Sequence, residues 1–424
     1  MKAGSYNLTL YVSARATSQL GDMMLPVGLA AGVLAAGYGA SGVGFVLAAH
    51  LLPFVALMLV GGVLADHLRP KPVLVAADAT RVVSMGLLAA EFAGGQPTLW
   101  RIIALQAVTG AAGAMFEPGS KGMVPEIARG RVREAYATLR ISESMVTMAG
   151  PALAGLLLAF LDPAVVIAVD ATSYLVSCVL ILLLRLPLRP PAHSRLTMGS
   201  NLKEGWQEFR ARPWLVSVVG VTCCVGIVVS GPYLVLGTTV LIEDRGATTF
   251  GMLQAVFGVG AVIGGFAGLR TSPRRPLLIG TITSMAWMPT LVLIAVGAPI
   301  PVLGASMLLA GAGRAYWGVM WSAAIQANVP AAVLNRVSAY EITGTMLMVP
   351  AGRAAAGPVG GALGDTQVLI AAGVLGTACL AALLLIPSVR NLPGAGSDGA
   401  ARARAPVTPS PAESASPGRN EAAP

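Results

Sequence analysis

The sequence predicts an all-α membrane protein in which twelve transmembrane helices form two pseudo-symmetric bundles of six. Only 11% of the 424 residues are charged and 55% are hydrophobic, whereas about 25% of the residues in a soluble domain are charged. Mean hydropathy is +0.74, and the apolar runs approach the roughly 20 residues that one helix needs to cross a bilayer. Because backbone groups in lipid must be satisfied internally, these runs are predicted to be helices.

Turns rich in charge, proline and glycine separate the apolar runs. The predicted helices cover residues 9–36, 42–66, 73–94, 99–120, 140–161, 163–185, 214–240, 248–270, 276–297, 301–325, 338–364 and 367–387. The external loops then contain only the basic residues Arg101 and Arg245, whereas the alternate loops are rich in them. The positive-inside rule therefore predicts cytoplasmic termini, and the net charge of +9 reflects this topology and not nucleic-acid binding. The excess of arginine over lysine and the abundant alanine indicate a bacterial plasma membrane.

The longest internal loop divides the predicted helices six and six. The predicted units are an N-terminal six-helix bundle (1–185), a cytoplasmic linker (186–213), a C-terminal six-helix bundle (214–388) and a disordered cytoplasmic tail (389–424). Leu202, Trp206 and Phe209 share one helical face, which predicts a short amphipathic helix in the linker. The tail is rich in Pro, Ala, Ser and Gly, a composition typical of disorder. AGPALAG in the first half recurs as AGPVGGA in the second, which supports two related bundles.

The segment GGVLADHLRPKPVLVAADATR joins the second and third predicted helices. It resembles the loop signature of the major facilitator superfamily, although His67 stands where that family usually has arginine. The matching residues are Gly62, Asp66, Lys71, Asp78 and Arg81. We interpret them as a conformational gate, in which Asp66 faces a helix N-terminus of the other half and Asp78 pairs with Arg81, since charges inside a bilayer are usually paired. The alternative is an ordinary basic loop that only sets topology.

Two glycine-proline motifs resemble one that the family associates with antiporters. They consist of Gly150, Pro151 and Gly155 in the fifth predicted helix and Gly357, Pro358 and Gly361 in the eleventh. Simple helix packing and kinking is the alternative explanation. The segments VDATSYLVSCVLILLLRLP and KEGWQEFRARPWL look most like the exporter branch that includes enterobactin exporters and macrolide or drug efflux proteins. This resemblance implies alternating access around a site near the midplane, between the two halves.

Three charged residues lie near the middle of predicted helices one, ten and eleven, where an ionisable group is a functional hypothesis by default. In the resembled fold helices one, four, seven and ten line the central cavity. The predicted proton-coupling or substrate-binding residues are Asp22, Arg314, Arg353, Trp317, Trp321 and Tyr316. Arg314 and the two tryptophans recur at helical spacing on one face. The alternatives are a mutual ion pair for the charges and plain packing for the aromatic side chains.

Four further acidic residues are assigned no transport role. Glu117, Glu143 and Glu341 lie close to cytoplasmic helix ends, where pairing with loop arginines is expected. Asp170 lies in the outer half of the sixth predicted helix, where a structural hydrogen bond is expected. No metal site is predicted, because the three histidines are dispersed and the four cysteines lack ligand spacing. No cofactor or ATP use is predicted either, because the chain has no phosphate-binding loop.

The resemblance and the intramembrane charges together predict a secondary active transporter and not an enzyme. It is expected to be a monomer in the lipid bilayer that exports a small amphipathic molecule, such as a drug, an antibiotic or a siderophore-like metabolite, in exchange for protons. The two arginines favour an acidic substrate, although a cationic one remains open. An importer or facilitator of the same fold is the first alternative. A polytopic receptor or membrane enzyme is the second, but it would need a soluble module that the sequence lacks.

Overall fold

The computed structural model describes residues 2–67, 70–128, 132–185, 206–330 and 334–394. These residues are almost entirely helical, and no strand occurs among them, which confirms the predicted all-α fold class. In the first half, α1 to α6 span Lys2–Ala35, Gly39–His67, Pro70–Ala93, Leu99–Ala128, Val132–Leu158 and Pro163–Leu182. In the second half, α7 to α10 span Pro213–Arg245, Ala247–Arg270, Pro276–Ala295 and Ile300–Asn328, α11 joins Leu334–Leu347 to Val349–Leu363, and α12 spans Asp365–Leu385.

Within the described ranges, nine helices are long and apolar enough to cross a membrane, and they are α1 to α4, α6 to α9 and α12. The other three helices, α5, α10 and α11, lie outside this set, and their presence is consistent with the predicted count of twelve. Several helices extend beyond the predicted ranges. Helix α1 begins at Lys2 and helix α5 at Val132, because hydropathy marks the length of chain in lipid, whereas a helix continues freely into water.

Three helices of the second half, α7, α9 and α11, contain irregular turns close to a proline. Helix α7 has π-helical turns on both sides of Pro232, helix α9 has a 3₁₀ turn just before Pro289, and helix α11 is interrupted at Met348, two residues before Pro350. Proline has no N–H to donate and its ring clashes with the carbonyl four residues earlier. These prolines therefore account for a local departure from regular α-helix, although Pro151 and Pro358 lie inside continuous helix.

The two bundles repeat the same helix contact. Helix α4 crosses α2 at Gly110, where an added Cβ would collide with the carbonyl oxygen of His50. Helix α10 crosses α8 at Gly311, where an added Cβ would collide with the carbonyl oxygen of Phe257. Small residues allow membrane helices to approach at backbone distance and gain van der Waals contact. The equivalent crossings support the pseudo-symmetry predicted from the repeated segments.

The predicted linker and tail are described only in part. Residues 206–210 are helical, and the ring of Trp206 lies 5.7 Å from that of Phe209 and 5.6 Å from that of Tyr340 in α11. The described ranges do not include residues 186–205, among them Leu202, or residues 395–424. The predicted start of the tail at 389 differs from the structure. Val389 and Leu392 are buried, because these two apolar side chains pack onto the end of the C-terminal bundle.

We expect Gly311→Ala to lower the free energy of unfolding by about 1–3 kcal/mol, because the added methyl group would force α8 and α10 apart. Thermal unfolding of the purified protein in detergent measures this effect. Gly304→Ala in the same helix is the matched control, because open space surrounds Gly304. Equal melting temperatures for the two variants would contradict the proposed backbone contact.

Candidate functional site

The two bundles meet in two seams, α5 with α8 and α2 with α11. A Cβ on Gly155 would lie 2.7 Å from the Cα of Gly251, so α5 and α8 touch through their backbones. In the second seam, a Cβ on Gly357 would collide with the backbone of Ser41. All four residues lie towards the α1–α2, α3–α4 and α5–α6 turns, a side that we call the far side. The opposite side, with the α2–α3 and α4–α5 connections, is called the terminal side.

Apolar packing differs between these two sides. On the far side, one buried cluster contains residues of all twelve helices, among them Met24, Val46, Phe250 and Leu369. On the terminal side, a cluster within α1 and α3 to α6 and the residues just after α6 is separate from a cluster within the C-terminal bundle and the residues beside it. Among the described residues, the bundles therefore share an apolar core on the far side and not on the terminal side. For the described residues, the space between the bundles opens towards the terminal side.

One face of α1 carries three polar residues that reach other helices. The Tyr11 hydroxyl donates a 2.6 Å hydrogen bond to the carbonyl oxygen of Ser120 in α4. One turn further, Arg15 forms an ion pair of 3.2 Å with Glu117 of α4. Glu117 thus has an arginine of α1 as a partner, in addition to any pairing with the loop arginines expected from the sequence. The arrangement holds α1 against α4 along the terminal half of the bundle.

Asp22 lies two turns beyond Arg15 on the same face and is partly buried. Its carboxylate accepts a short hydrogen bond from the hydroxyl of Tyr174 in α6. In the described ranges it makes no ion pair with Arg314 or Arg353. The alternative of a mutual ion pair among the intramembrane charges is therefore not supported, and the described hydrogen-bond partner of Asp22 is a neutral hydroxyl.

Of the predicted gate residues, Lys71, Asp78 and Arg81 have described surroundings. The predicted ion pair between Asp78 and Arg81 is present at 3.5 Å, with Asp78 fully buried. The guanidinium of Arg81 lies 4.5 Å from the ring centroid of Phe116 and 5.1 Å from that of Tyr174, and the Ser177 hydroxyl donates to Asp78 at 2.7 Å. Aromatic rings and a carboxylate together offset the cost of holding an arginine away from water.

Lys71 caps a neighbouring helix. Its ammonium donates to the carbonyl oxygens of Leu182 at 2.7 Å and Leu184 at 2.8 Å, where the last carbonyls of α6 would otherwise lack donors. The surroundings of Gly62 and Asp66 lie outside the described part of the chain, so the contact of Asp66 with a helix N-terminus stays a prediction.

Asp170 is fully buried, and neither carboxylate oxygen has a hydrogen-bond partner in the described structure. The structural hydrogen bond expected for this residue is therefore absent. Its carboxyl group lies directly against the backbone of Gly21, where an added Cβ would collide with it. A buried carboxylate without donors is costly to ionise, so Asp170 belongs to the polar interior of the bundle beside Asp22 and is not a packing group.

In the C-terminal bundle, Arg314 is exposed although its face of α10 also carries the buried residues Met307 and Ala310. It makes no ion pair or hydrogen bond in the described ranges. Arginine cannot lose its proton in proteins. Arg314 thus carries a permanent positive charge on an otherwise buried face, without an ion-pair partner among the described residues.

The predicted aromatic residues of α10 separate into two groups. Trp317 and Trp321 stack at 5.9 Å, but Trp317 also packs against Gly280 of α9, which supports the packing alternative for this side chain. Trp321 donates its indole N–H to Glu341 of α11 at 2.9 Å. The hydroxyl of Tyr316 instead lies 3.1 Å from that of Thr271, just after α8. The structure thus brings Tyr316 to a different face from Arg314.

Arg353 lies in the α2–α11 seam. Its guanidinium donates to the carbonyl oxygen of Leu47 in α2 at 3.3 Å, and its Nε atom is buried without a partner in the described structure. An added Cβ on Gly44 would collide with the carbonyl oxygen of Arg353 itself. This residue therefore joins the bundles on the far side, and it lies on a different helix from Arg314.

The glycine-proline motifs also contribute to helix contacts. Gly150 packs on Met23 of α1, and Gly155 and Gly357 form the two seams. No atom lies within 4 Å of a Cβ built on Gly361. Pro151 and Pro358 lie inside continuous helix. The motifs thus provide close packing, and a role in antiport stays a prediction.

A family model described as Major Facilitator Superfamily matches residues 12–347. The chain belongs to the major facilitator superfamily. Within this superfamily, YvqJ of Bacillus subtilis (strain 168), an uncharacterized MFS-type transporter, is 25% identical over 353 residues, which cover 80% of this chain and 82% of the relative. An uncharacterized MFS-type transporter of Mycobacterium tuberculosis (strain ATCC 25618 / H37Rv) is 28% identical over 287 residues, 64% of this chain and 66% of the relative.

Solved structures of other transporters share the fold. The nucleoside transporter NupG superposes with a TM-score of 0.72 at 14% identity, over 90% of this chain and 98% of that chain. A bacterial homolog of the human lysosomal transporter Spinster, in an inward-facing and unoccupied conformation, also has a TM-score of 0.72, at 15% identity over 92% of this chain and 98% of that chain. The resemblance predicted from the α2–α3 segment is thus confirmed for the superfamily. The exporter branch stays a prediction.

Sequence reasoning missed the polar stripe of α6. Asp170, Ser173, Tyr174 and Ser177 are all buried and recur at the spacing of one helical face. Four polar residues on one face of an otherwise apolar helix were a readable signal. The partners across that face, Asp22 and Asp78, become visible only when α1 and α3 pack against α6.

We expect Asp78→Asn to lower the free energy of unfolding by about 3–5 kcal/mol, because Arg81 would keep a buried charge without its carboxylate. Asp170→Asn is the matched variant in the same bundle. It should change stability by about 1 kcal/mol or less, because the Asp170 carboxyl makes no described hydrogen bond. Unfolding of both variants in detergent tests the difference, and similar losses of stability in the two would contradict it.

Proposed function

We propose that this superfamily transporter is a secondary active exporter that moves a small amphipathic molecule in exchange for protons, through alternating access of its two bundles. The observation that carries the proposal is the state of the intramembrane charges. Asp22 is bonded to Tyr174 and not to an arginine, and Arg314 has no partner in the described ranges. A carboxylate and a guanidinium that do not neutralise each other are available to a proton and to a substrate.

The proposed orientation follows from the basic loops. If the terminal side faces the cytoplasm, as the positive-inside rule predicts, the opening between the bundles faces the cytoplasm too. An exporter would collect its substrate from that side. An importer or facilitator passes through the same conformation when it releases its substrate, so the opening supports alternating access and the direction is part of the proposal.

Proton exchange is proposed to use Asp22. A carboxylate inside a membrane can take up a proton when the cavity faces one side and release it when the cavity faces the other. Tyr174 keeps the carboxylate oriented in α1, and its hydroxyl adds no charge. Asp22 therefore combines a fixed position with a carboxylate inside the membrane, the kind of group that proton coupling uses.

For the substrate, Arg314 supports a molecule with an acidic or polyhydroxylated group. The exposed guanidinium offers several N–H donors in one plane, while Trp321 adds a flat apolar surface on the same face of α10. A siderophore-like metabolite or an acidic antibiotic fits this combination. Glu341, which accepts the indole N–H of Trp321, favours a second candidate, a cationic amphipathic drug.

We expect Asp22→Asn to abolish uphill transport driven by a pH gradient and to leave downhill exchange measurable, because the amide cannot carry the proton. Proteoliposomes loaded with carboxyfluorescein or with ethidium as test compounds provide the measurement. Asp162→Asn is the control, because Asp162 is exposed between α5 and α6. Unchanged uphill transport by Asp22→Asn would exclude Asp22 as the coupling residue.

We expect Arg314→Gln to reduce transport of the acidic dye about tenfold or more, because a charged hydrogen bond is worth about 1.5–3 kcal/mol, and to leave ethidium transport unchanged. Arg270→Gln, at an exposed arginine that ends α8, is the control. Assays in inverted and right-side-out vesicles separate export from import. Transport of ethidium but not of acidic dyes by the wild type would favour the cationic candidate.

A further inference from the structure

A groove between the far-side ends of α3 and α4 is separate from the central opening. It encloses about 480 Å³ and is lined both by apolar residues and by charged or amide residues. The apolar part includes Leu87, Ala90 and Leu105, and the polar part includes Glu91, Gln96 and Arg101. Leu87 is 54% exposed. The groove therefore lies on the outer surface of the N-terminal bundle, which in a membrane protein is covered by lipid.

The polar end of the groove contains an ion pair that uses only some of its hydrogen-bond donors and acceptors. Arg101 Nη1 lies 2.8 Å from Glu91 Oε1. The second carboxylate oxygen of Glu91 and the other guanidinium N–H groups of Arg101 make no hydrogen bond in the described structure. The Arg101 side chain is 53% exposed. The pair is thus neutral overall, and it still offers one anionic acceptor and several cationic donors to a ligand in the groove.

Interaction with the helix dipole does not explain the positions of these two charged residues. Glu91 lies in the last turn of α3, and Arg101 lies in the first turn of α4. The helix macrodipole favours basic residues at the C-terminal end and acidic residues at the N-terminal end, by about 0.3–1 kcal/mol each. Both residues are therefore placed against the dipole of their own helix. Recognition of a charged ligand is an explanation that fits both positions.

The adjoining residue has the properties of a membrane-interface anchor. Trp100 is 65% exposed, and the Arg101 guanidinium lies 5.6 Å from its ring centroid. Tryptophan is enriched at the level of the lipid headgroups, where its ring is apolar and its N–H is polar. The polar end of the groove thus lies at headgroup depth, and its apolar part continues towards the hydrocarbon.

We propose that this groove binds one zwitterionic aminophospholipid of the phosphatidylethanolamine class. The lipid phosphate would lie against Arg101, the primary ammonium group against Glu91, and an acyl chain along the apolar part of the groove. A neutral ion pair matches a headgroup with one charge of each sign better than a headgroup with net negative charge. A choline headgroup has no N–H to donate, and a glycerol headgroup has no ammonium. The inference is independent of the transported substrate.

The test is native mass spectrometry of the purified full-length protein after exposure to equimolar phosphatidylethanolamine, phosphatidylcholine and phosphatidylglycerol. We expect one tightly bound phosphatidylethanolamine in the wild type, and about tenfold weaker retention in Glu91→Gln and in Arg101→Gln, since each loses a charged hydrogen bond. Arg245→Gln is the matched control, because Arg245 is also a far-side arginine but donates to the carbonyl oxygen of Gly297.

Thermal unfolding in the same three lipids gives a second measurement that does not depend on ionisation in the spectrometer. Phosphatidylethanolamine should raise the melting temperature of the wild type and of Arg245→Gln more than the other two lipids do, and this difference should disappear in the two groove variants. Equal retention of the three lipids by the wild type would show annular lipid only and overturn the proposal. Unchanged retention of phosphatidylethanolamine by both groove variants would overturn it as well.

Discussion

Direct backbone contact between helices, made possible by glycine, is the interaction on which the rest of this structure depends. Lipid offers no hydrophobic drive for helices to associate, so close packing has to supply the energy. Gly110 and Gly311 provide it within the bundles, and Gly155 and Gly357 provide it between them. Among the described residues, the glycine contacts between the bundles lie towards the far side. The close approach of Gly155 to Gly251 and of Gly357 to Ser41 thus favours a central space that opens on the opposite side.

The two bundles hold charge in different ways. In the N-terminal bundle, the carboxylates Asp22, Asp78 and Asp170 lie around α6, with Arg81 as the buried cation beside them. In the C-terminal bundle, Arg314 carries a charge that cannot be removed. This difference between carboxylates in one bundle and a permanent positive charge in the other is the basis of the proposal that coupling uses the first bundle and substrate recognition the second.

The groove between α3 and α4 illustrates a different use of charge. Glu91 and Arg101 satisfy each other only in part, and they do so at the membrane surface and not in the central space. A polar pair at headgroup depth can keep its charges without the cost that applies at the midplane. In these two proposals the same bundle would bind lipid on its outer face, at α3 and α4, and a proton at Asp22 of α1.

Much of the fold could be predicted from residue patterns. Apolar runs, alternating basic loops and repeated segments predicted the helices and the two bundles, because each follows from local chemistry of the chain in lipid. The pairing of Asp78 with Arg81 was predictable for the same reason, since the two residues are one helical turn apart. Helix ends were less predictable: α1 and α5 continue beyond the lipid-spanning length.

The sequence by itself determined the fold class, the family and the presence of ionisable residues inside the membrane. Only the tertiary structure decided which of them meet. Asp22 bonds to Tyr174 and not to an arginine, Arg353 lies in a seam and not beside Arg314, and Trp317 packs against α9. The physical reason is that helix formation depends on near neighbours in the chain, whereas the partner of a side chain depends on how whole helices rotate and cross.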